Sequence, residues 1–136
     1  MTAESKAVAT VDVYSIDTNS WTTCASLNKP RDSHASCTLG DKLYISGGHV
    51  NVDQMEDSIE VANCKELIAG AGSFTVISVC GFKGSRHVFC PISTYEILIM
   101  GGKDVLIFDT RNNVIEQEGK NTFDLQCYSN QCNMSR

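Results

Sequence analysis

The sequence predicts an all-β fold, and three observations predict it. Short runs rich in Val, Ile, Thr, Tyr and Phe follow one another along the whole chain, which is the composition of pleated, half-buried strands. Gly, Asn, Asp and Ser separate these runs, and there are two prolines in 136 residues. The pentapeptide YISGG (44–48) returns as LIMGG (98–102), 54 positions later.

The strands are read in order. VDVYSI (11–16) alternates, with Val11 and Val13 on one face, and WTTCAS (21–26) follows a DTNS turn. SHASCTL (33–39), KLYIS (42–46), SIEVA (58–62) and SFTVISV (73–79) come next. RHVFC (86–90), YEILIM (95–100), DVLIFD (104–109), NVIEQ (113–117) and TFDLQC (122–127) complete the set. Each is short and bounded by turn residues. KELIAGAG (65–72) has the makings of a helical turn, but its two glycines favour a loop. About eleven short strands with regular turns allow a sandwich, a barrel or a propeller.

The repeat chooses among them. Self-similarity near 50 residues marks the four-stranded blade of a β-propeller. The copies agree beyond the glycines: Arg31 and His34 precede the first pair, Arg86 and His87 the second. VLIFDTRNNVI (105–115) matches VYSIDTNSW (13–21), so Phe108 and Ile115 stand where Tyr14 and Trp21 do.

On these residues the chain resembles the kelch-repeat family over roughly residues 11–118. The family's blade runs Arg…His, an apolar strand ending in Gly-Gly, then Tyr-x6-Trp around a turn. Arg31, His34, Gly47, Gly48, Tyr14 and Trp21 fit that pattern. Gly101, Gly102, Phe108 and Ile115 form a degenerate copy. The resemblance implies a partial β-propeller of four-stranded antiparallel blades, with these residues as scaffold. Glycine pairs let backbones crowd at the narrow end of a blade. Tyr14 and Trp21 are expected to fill the wedge between blades. His34 and His87 are expected to make blade-to-blade hydrogen bonds.

Closed propellers have four to eight blades, and 136 residues supply roughly two and a half. The expected division is a tail (1–10), a half blade carrying strands three and four (11–27), a kelch-type blade (28–80), a degenerate blade (81–119) and the start of a further blade or a tail (120–136). The chain reads as the C-terminal part of a propeller. Self-association or completion by other blades would cover its open edges.

Composition narrows the function. Net charge is −5, and the eleven basic residues are scattered, which argues against nucleic acid or an anionic membrane as partner. No apolar run is long enough to span a bilayer. The start, MTAESKAVAT, has neither a basic nor an apolar leader region, so a cytoplasmic location is expected. Seven cysteines, an odd number without a CxxC pair, read as reduced thiols. Cys127 and Cys132 form the one close pair, with no His nearby to complete a zinc site. No metal and no cofactor are expected.

Partners of the family bind inter-strand loops on one face. The matching stretches are 49–57, 27–31 and 81–86, which offer His49, Asn51, Asp53, Gln54, Glu56, Asp57, Arg31 and Arg86. Loops held on rigid scaffolds are where binding residues gather. The acidic spacing in 49–57 does not match a calcium loop, and no catalytic motif occurs. The expected function is a non-enzymatic protein–protein interaction module, acting as adaptor or scaffold. The alternatives are a fragment of a propeller enzyme (oxidase, isomerase or sialidase-like) and a gene fragment without independent function.

Overall fold

A computed structural model describes residues 6–78, 83–128 and 131–135. Three sheets stack in chain order. The first pairs β1 (Val8–Ser15) with β2 (Ser20–Arg31). The second contains β3 (Ala35–Leu39), β4 (Lys42–Ser46), β7 (Ser58–Asn63) and β8 (Thr75–Ser78), each antiparallel to the next. A small hairpin, β5 (His49–Asn51) and β6 (Gln54–Met55), is inserted between β4 and β7. The third sheet is a meander of β9 (Val88–Pro91), β10 (Glu96–Asp109), β11 (Val114–Tyr128) and β12 (Gln131–Ser135). The chain is all-β, with blades of four antiparallel strands, as its sequence predicts.

Alternation along the strands gives each sheet two faces, and the middle sheet is covered on both. Ile45 and Ala62 turn towards the first sheet and pack with Leu27, Val11, Cys24 and Ala25. Tyr44 and Ile59 turn the other way and pack with Phe89, Ile97, Ile99, Leu106 and Phe108 of the third. Phe108 is 0% exposed and meets the Tyr44 ring edge-on at 6.2 Å between centroids.

The two Tyr/Trp-type hairpins share one geometry. Tyr14 is registered with Trp21, and Phe108 with Ile115. Each hairpin closes through a turn whose last residue, Asn19 or Asn113, has positive φ, a conformation Asn tolerates better than most residues. Burial differs, however. Tyr14 and Trp21 stack on each other at 5.1 Å, yet Trp21 is 72% exposed. The expectation that this pair fills a wedge between blades is corrected here: its face of the first sheet looks away from the middle sheet. The degenerate pair meets the middle sheet instead, so Phe108 is core.

Two further expectations are corrected. Residues 65–72 are not all loop: α1 (Cys64–Ile68) is one helical turn. The Asn63 side chain accepts hydrogen bonds from the Lys65 and Glu66 amides, at 3.0 and 3.2 Å, and Gly70, at φ +76°, ends it. Both glycines thus fall after the turn. The second glycine pair also does not end a strand as the first does. Gly101 and Gly102 lie inside the 14-residue β10, with a register shift between Gly102 and Asp104. The expected strands 95–100 and 104–109 are therefore one. Likewise 113–117 and 122–127 merge into β11.

Removing the Phe108 ring should cost about 3–5 kcal/mol, because a large buried side chain leaves a cavity between two sheets. Ile16→Ala, at a residue 85% exposed, should stay within about 0.5 kcal/mol. Urea unfolding of both variants measures the contrast, and similar losses would contradict this packing.

Candidate functional site

The site grows from the inner ends of the strands. The chain turns sharply after β4, and Gly47 and Gly48 take φ +64° and +94° there. A Cβ on Gly47 would collide with the carbonyl oxygen of Gly84, and one on Gly48 would lie 2.6 Å from the carbonyl oxygen of Asp32. Both the backbone sign and the space require glycine.

That absence of side chains brings three segments together, residues 31–34, 47–49 and 84–87. Asp32 and His49 exchange backbone bonds of 3.0 and 2.8 Å. The Gly48 amide donates to Gly84 (2.9 Å) and the Arg86 amide to Ser33 (2.9 Å). Two histidines add side-chain links: His49 Nε2 lies 3.0 Å from Ser85 Oγ, and His87 Nε2 lies 3.1 Å from Ser46 Oγ. The second link joins the third sheet to the middle one. Burial holds the His87 imidazole well below its ordinary range, at about 4.

Arg31, expected in a partner-binding loop, is inside. It donates to the carbonyls of Gly47 and Ser58 (both 2.9 Å), to Ser58 Oγ (2.8 Å) and to the Glu60 carboxylate (3.1 Å). Both side chains of this ion pair are 0% exposed. Glu60 also accepts from the Asn28 amide (2.7 Å), the Asn28 side chain (3.0 Å) and the Lys29 amide (3.2 Å). Sequence reading passed over Glu60. The available signal was a lone carboxylate within the apolar strand SIEVA, which needs a cation once buried.

Glu56 is inside as well. Burial alone would raise its pKa, but hydrogen bonds from Lys29 and Ser58 and the charges of Lys29 and Arg31 hold it at about 2. Lys29 Nζ lies 2.9 Å from it. His34 and Arg86 are exposed, and His49 is half-buried against Ser85. Of the stretch 81–86, positions 81 and 82 lie outside the described residues.

The rest of the expected loop surface stays in solvent and is not an unstructured loop. It is the β5–β6 hairpin, whose tip is held by Asn51: its Oδ1 accepts from the Asp53 amide at 3.0 Å, and its Nδ2 donates to Gln54 at 3.3 Å. Val52 is 90% exposed at the tip, beside exposed Asn51, Asp53 and Gln54, and Asp57, beyond β6, is exposed as well. The Glu56 amide donates to the Gly48 carbonyl (2.8 Å), which ties the far end of the hairpin to the glycine pair. The outcome is a mostly polar, acidic knob with one apolar residue at its tip, on a base pinned by three segments.

Comparison with known proteins bears on this arrangement. The chain is 51% identical over 39 residues, 29% of its length, to human "Kelch-like protein 4". It is 38% identical over 52 residues, 38% of its length, to "Kelch-like protein 21" of cattle and of humans. Over these stretches the chain is similar to kelch-like proteins, in keeping with the resemblance its repeat motifs carry. The matched stretches cover 5% and 9% of those proteins, and no protein-family model matches the chain. With the antiparallel four-stranded sheets, that similarity makes the fold a partial β-propeller. Among the described residues no helix is long and apolar enough to cross a membrane.

Two predictions follow from the buried charges. Glu60→Ala leaves Arg31 buried without its partner and should cost about 3–5 kcal/mol. Arg31→Met with Glu60→Leu should recover much of that loss, as a double-mutant cycle by chemical denaturation would show. For pH, the shifts of His87 and Glu56 are both downward, so the unfolded chain binds more protons and stability falls with acid. The His87 contribution is complete above its ordinary 6.5 and lost as pH falls towards 4. The Glu56 contribution is complete above 4.5 and lost towards 2. His87→Asn should flatten the first window and Glu56→Gln the second, in unfolding free energies measured across pH.

Proposed function

We propose that the chain is a non-enzymatic, cytoplasmic protein-interaction module of kelch type that holds a protein partner on the β5–β6 hairpin, as an adaptor or scaffold. The observation that carries this reading is the contrast within residues 49–57. Their base is locked by the backbone bonds of Asp32, Gly48 and Gly84, while Val52 and its polar neighbours stand in water. A rigid base under an exposed tip lowers the ordering cost of binding. The similarity to kelch-like proteins supports a protein as the ligand. Cys24, Cys37, Cys64 and Cys90 are free thiols, in keeping with a reducing compartment.

The contact on this reading is the Val52 side chain, flanked by Asn51, Asp53 and Gln54, with Asp57 and Arg86 exposed towards the base of the hairpin. The acidic pair Asp53 and Asp57 favours a partner face that is basic around an apolar pocket. Arg31 and Glu56, despite their charge, serve the scaffold on this reading, because their hydrogen bonds are already taken within the chain.

A photo-crosslinking residue placed at position 52 should capture a discrete partner that the same residue at position 41, at the opposite end of β4, does not. Val52→Asp and Asp53→Lys should each lower affinity for that partner at least tenfold without changing the unfolding temperature. Capture equally from both positions, or affinity untouched by both substitutions, would sink the proposal. So would turnover in a panel of oxidase, isomerase and glycosidase substrates.

A further inference from the structure

Lys29 differs from the other described lysines in what its charge holds. Its Nζ lies 2.9 Å from one Glu56 carboxylate oxygen and 3.2 Å from the other. The Lys29 side chain is 48% exposed and that of Glu56 2%. Lys65 also reaches a carboxylate, Asp41 at 4.0 Å, but there both groups are in solvent. One end of the Lys29–Glu56 pair is thus open to reagents while the other is buried and depends on it.

Local structure explains the exposure. Thr10 stands opposite Ser26 and Val8 opposite Arg31, so residues 27–30 bulge from the β1–β2 ladder. A bulge leaves residues unpaired in the ladder and re-aims their side chains. The Asn28 and Lys29 amides turn to Glu60 (2.7 and 3.2 Å), and the Lys29 side chain runs on to Glu56. At Glu56 the β5–β6 hairpin returns to its base. Its amide donates to the Gly48 carbonyl (2.8 Å), and its carboxylate accepts from the Ser58 amide (3.1 Å). The Lys29 ammonium therefore ties the first sheet to the return of the hairpin.

That tie depends on a charge which one reaction removes. Acylation turns the ammonium into a neutral amide, whereas methylation keeps the charge. Once it is gone, Glu56 faces the Ser58 amide and the charge of Arg31. The Arg31 guanidinium is already committed to Gly47, Ser58 and Glu60. Keeping a carboxylate buried there is costly, and turning out to water relieves the cost. We propose that Lys29 is an Nε-acylation site, and that acylation releases the β5–β6 hairpin from its base. The ammonium gives one proton to solvent, and the amine attacks the carbonyl carbon of an acyl thioester. The C–N bond forms, the C–S bond breaks, and the thiolate leaves with the second proton as a thiol. The effect on a partner rests on the hairpin reading, but the release does not.

Nε-acetyllysine is encoded at position 29 of the full chain, and amide hydrogen exchange is followed. The Glu56 and Ser58 amides should exchange about tenfold faster or more than in the unmodified chain, while β10 keeps its protection. Nε-methyllysine at position 29, which keeps the charge, should leave exchange unchanged, and so should acetyllysine at position 65. In a second arm the folded wild-type chain is treated with acetyl-coenzyme A, and its modified lysines are mapped by mass spectrometry. Lys29 should be acetylated more slowly than Lys65, and Glu56→Gln should speed the reaction at Lys29 without changing it at Lys65. Unchanged exchange at Glu56 and Ser58, or an equal loss of protection in β10, overturns the release. Lys29 that stays unmodified in the folded wild-type chain while Lys65 reacts overturns the site. Both arms are read without a partner, so a failed crosslink at position 52 would count against the hairpin reading alone.

Discussion

The ion pair of Arg31 and Glu60 fixes the geometry on which the rest depends. Arg31 ends β2 and Glu60 lies in the middle of β7, so the pair joins the first sheet to the second across 29 residues of sequence. Taking both charges out of water is costly, and Coulomb attraction alone does not repay it. Additional hydrogen bonds do. Glu60 accepts two backbone amides and a side-chain amide from residues 28 and 29, while Arg31 covers carbonyls at the ends of β4 and β7. Those carbonyls belong to Gly47 and Ser58, where the chain leaves the sheet to form the β5–β6 hairpin and where it returns. The pair therefore sets the place from which the hairpin projects.

The glycine pair acts on the same place from the other side. Its positive φ values turn the chain out of β4, and its missing side chains admit the carbonyls of Asp32 and Gly84. Neither feature suffices alone. Without the guanidinium the turn would bury the Gly47 carbonyl without its hydrogen-bond donor. Without glycine the segment 84–87 would not reach Gly48. The second glycine pair makes the point by contrast: Gly101 and Gly102 remain within β10, and the strand runs on. A glycine pair permits the turn, and the hydrogen bonds around it decide whether it is made.

Much of this was legible in the sequence, for identifiable reasons. Alternating β-branched runs between turn residues gave the all-β class, because a period of two is a local property. The repeat spacing gave the blade, and the matched hairpins at 14–21 and 108–115 share one register and one positive-φ Asn. What escaped is non-local. Nothing in the strand SIEVA itself names Arg31, 29 positions earlier, as the partner of Glu60. Glu56 was placed with its polar neighbours on an exposed loop, but Lys29 and the Ser58 amide draw it in. The helical turn at Cys64–Ile68 was hidden because its glycines lie just beyond it, where they terminate it.

Motif quality and burial also proved to be separate matters. The better match to the repeat pattern, Tyr14 with Trp21, is the exposed one, and the poorer match, Phe108 with Ile115, is the core. Position in the stack explains the inversion: an aromatic on the backward face of a sheet is buried when a sheet precedes it. The pattern records what a blade can bury, and the neighbour determines whether it does. Trp21 keeps its aromatic partner and its register while lying mostly in water, a costly residue to expose.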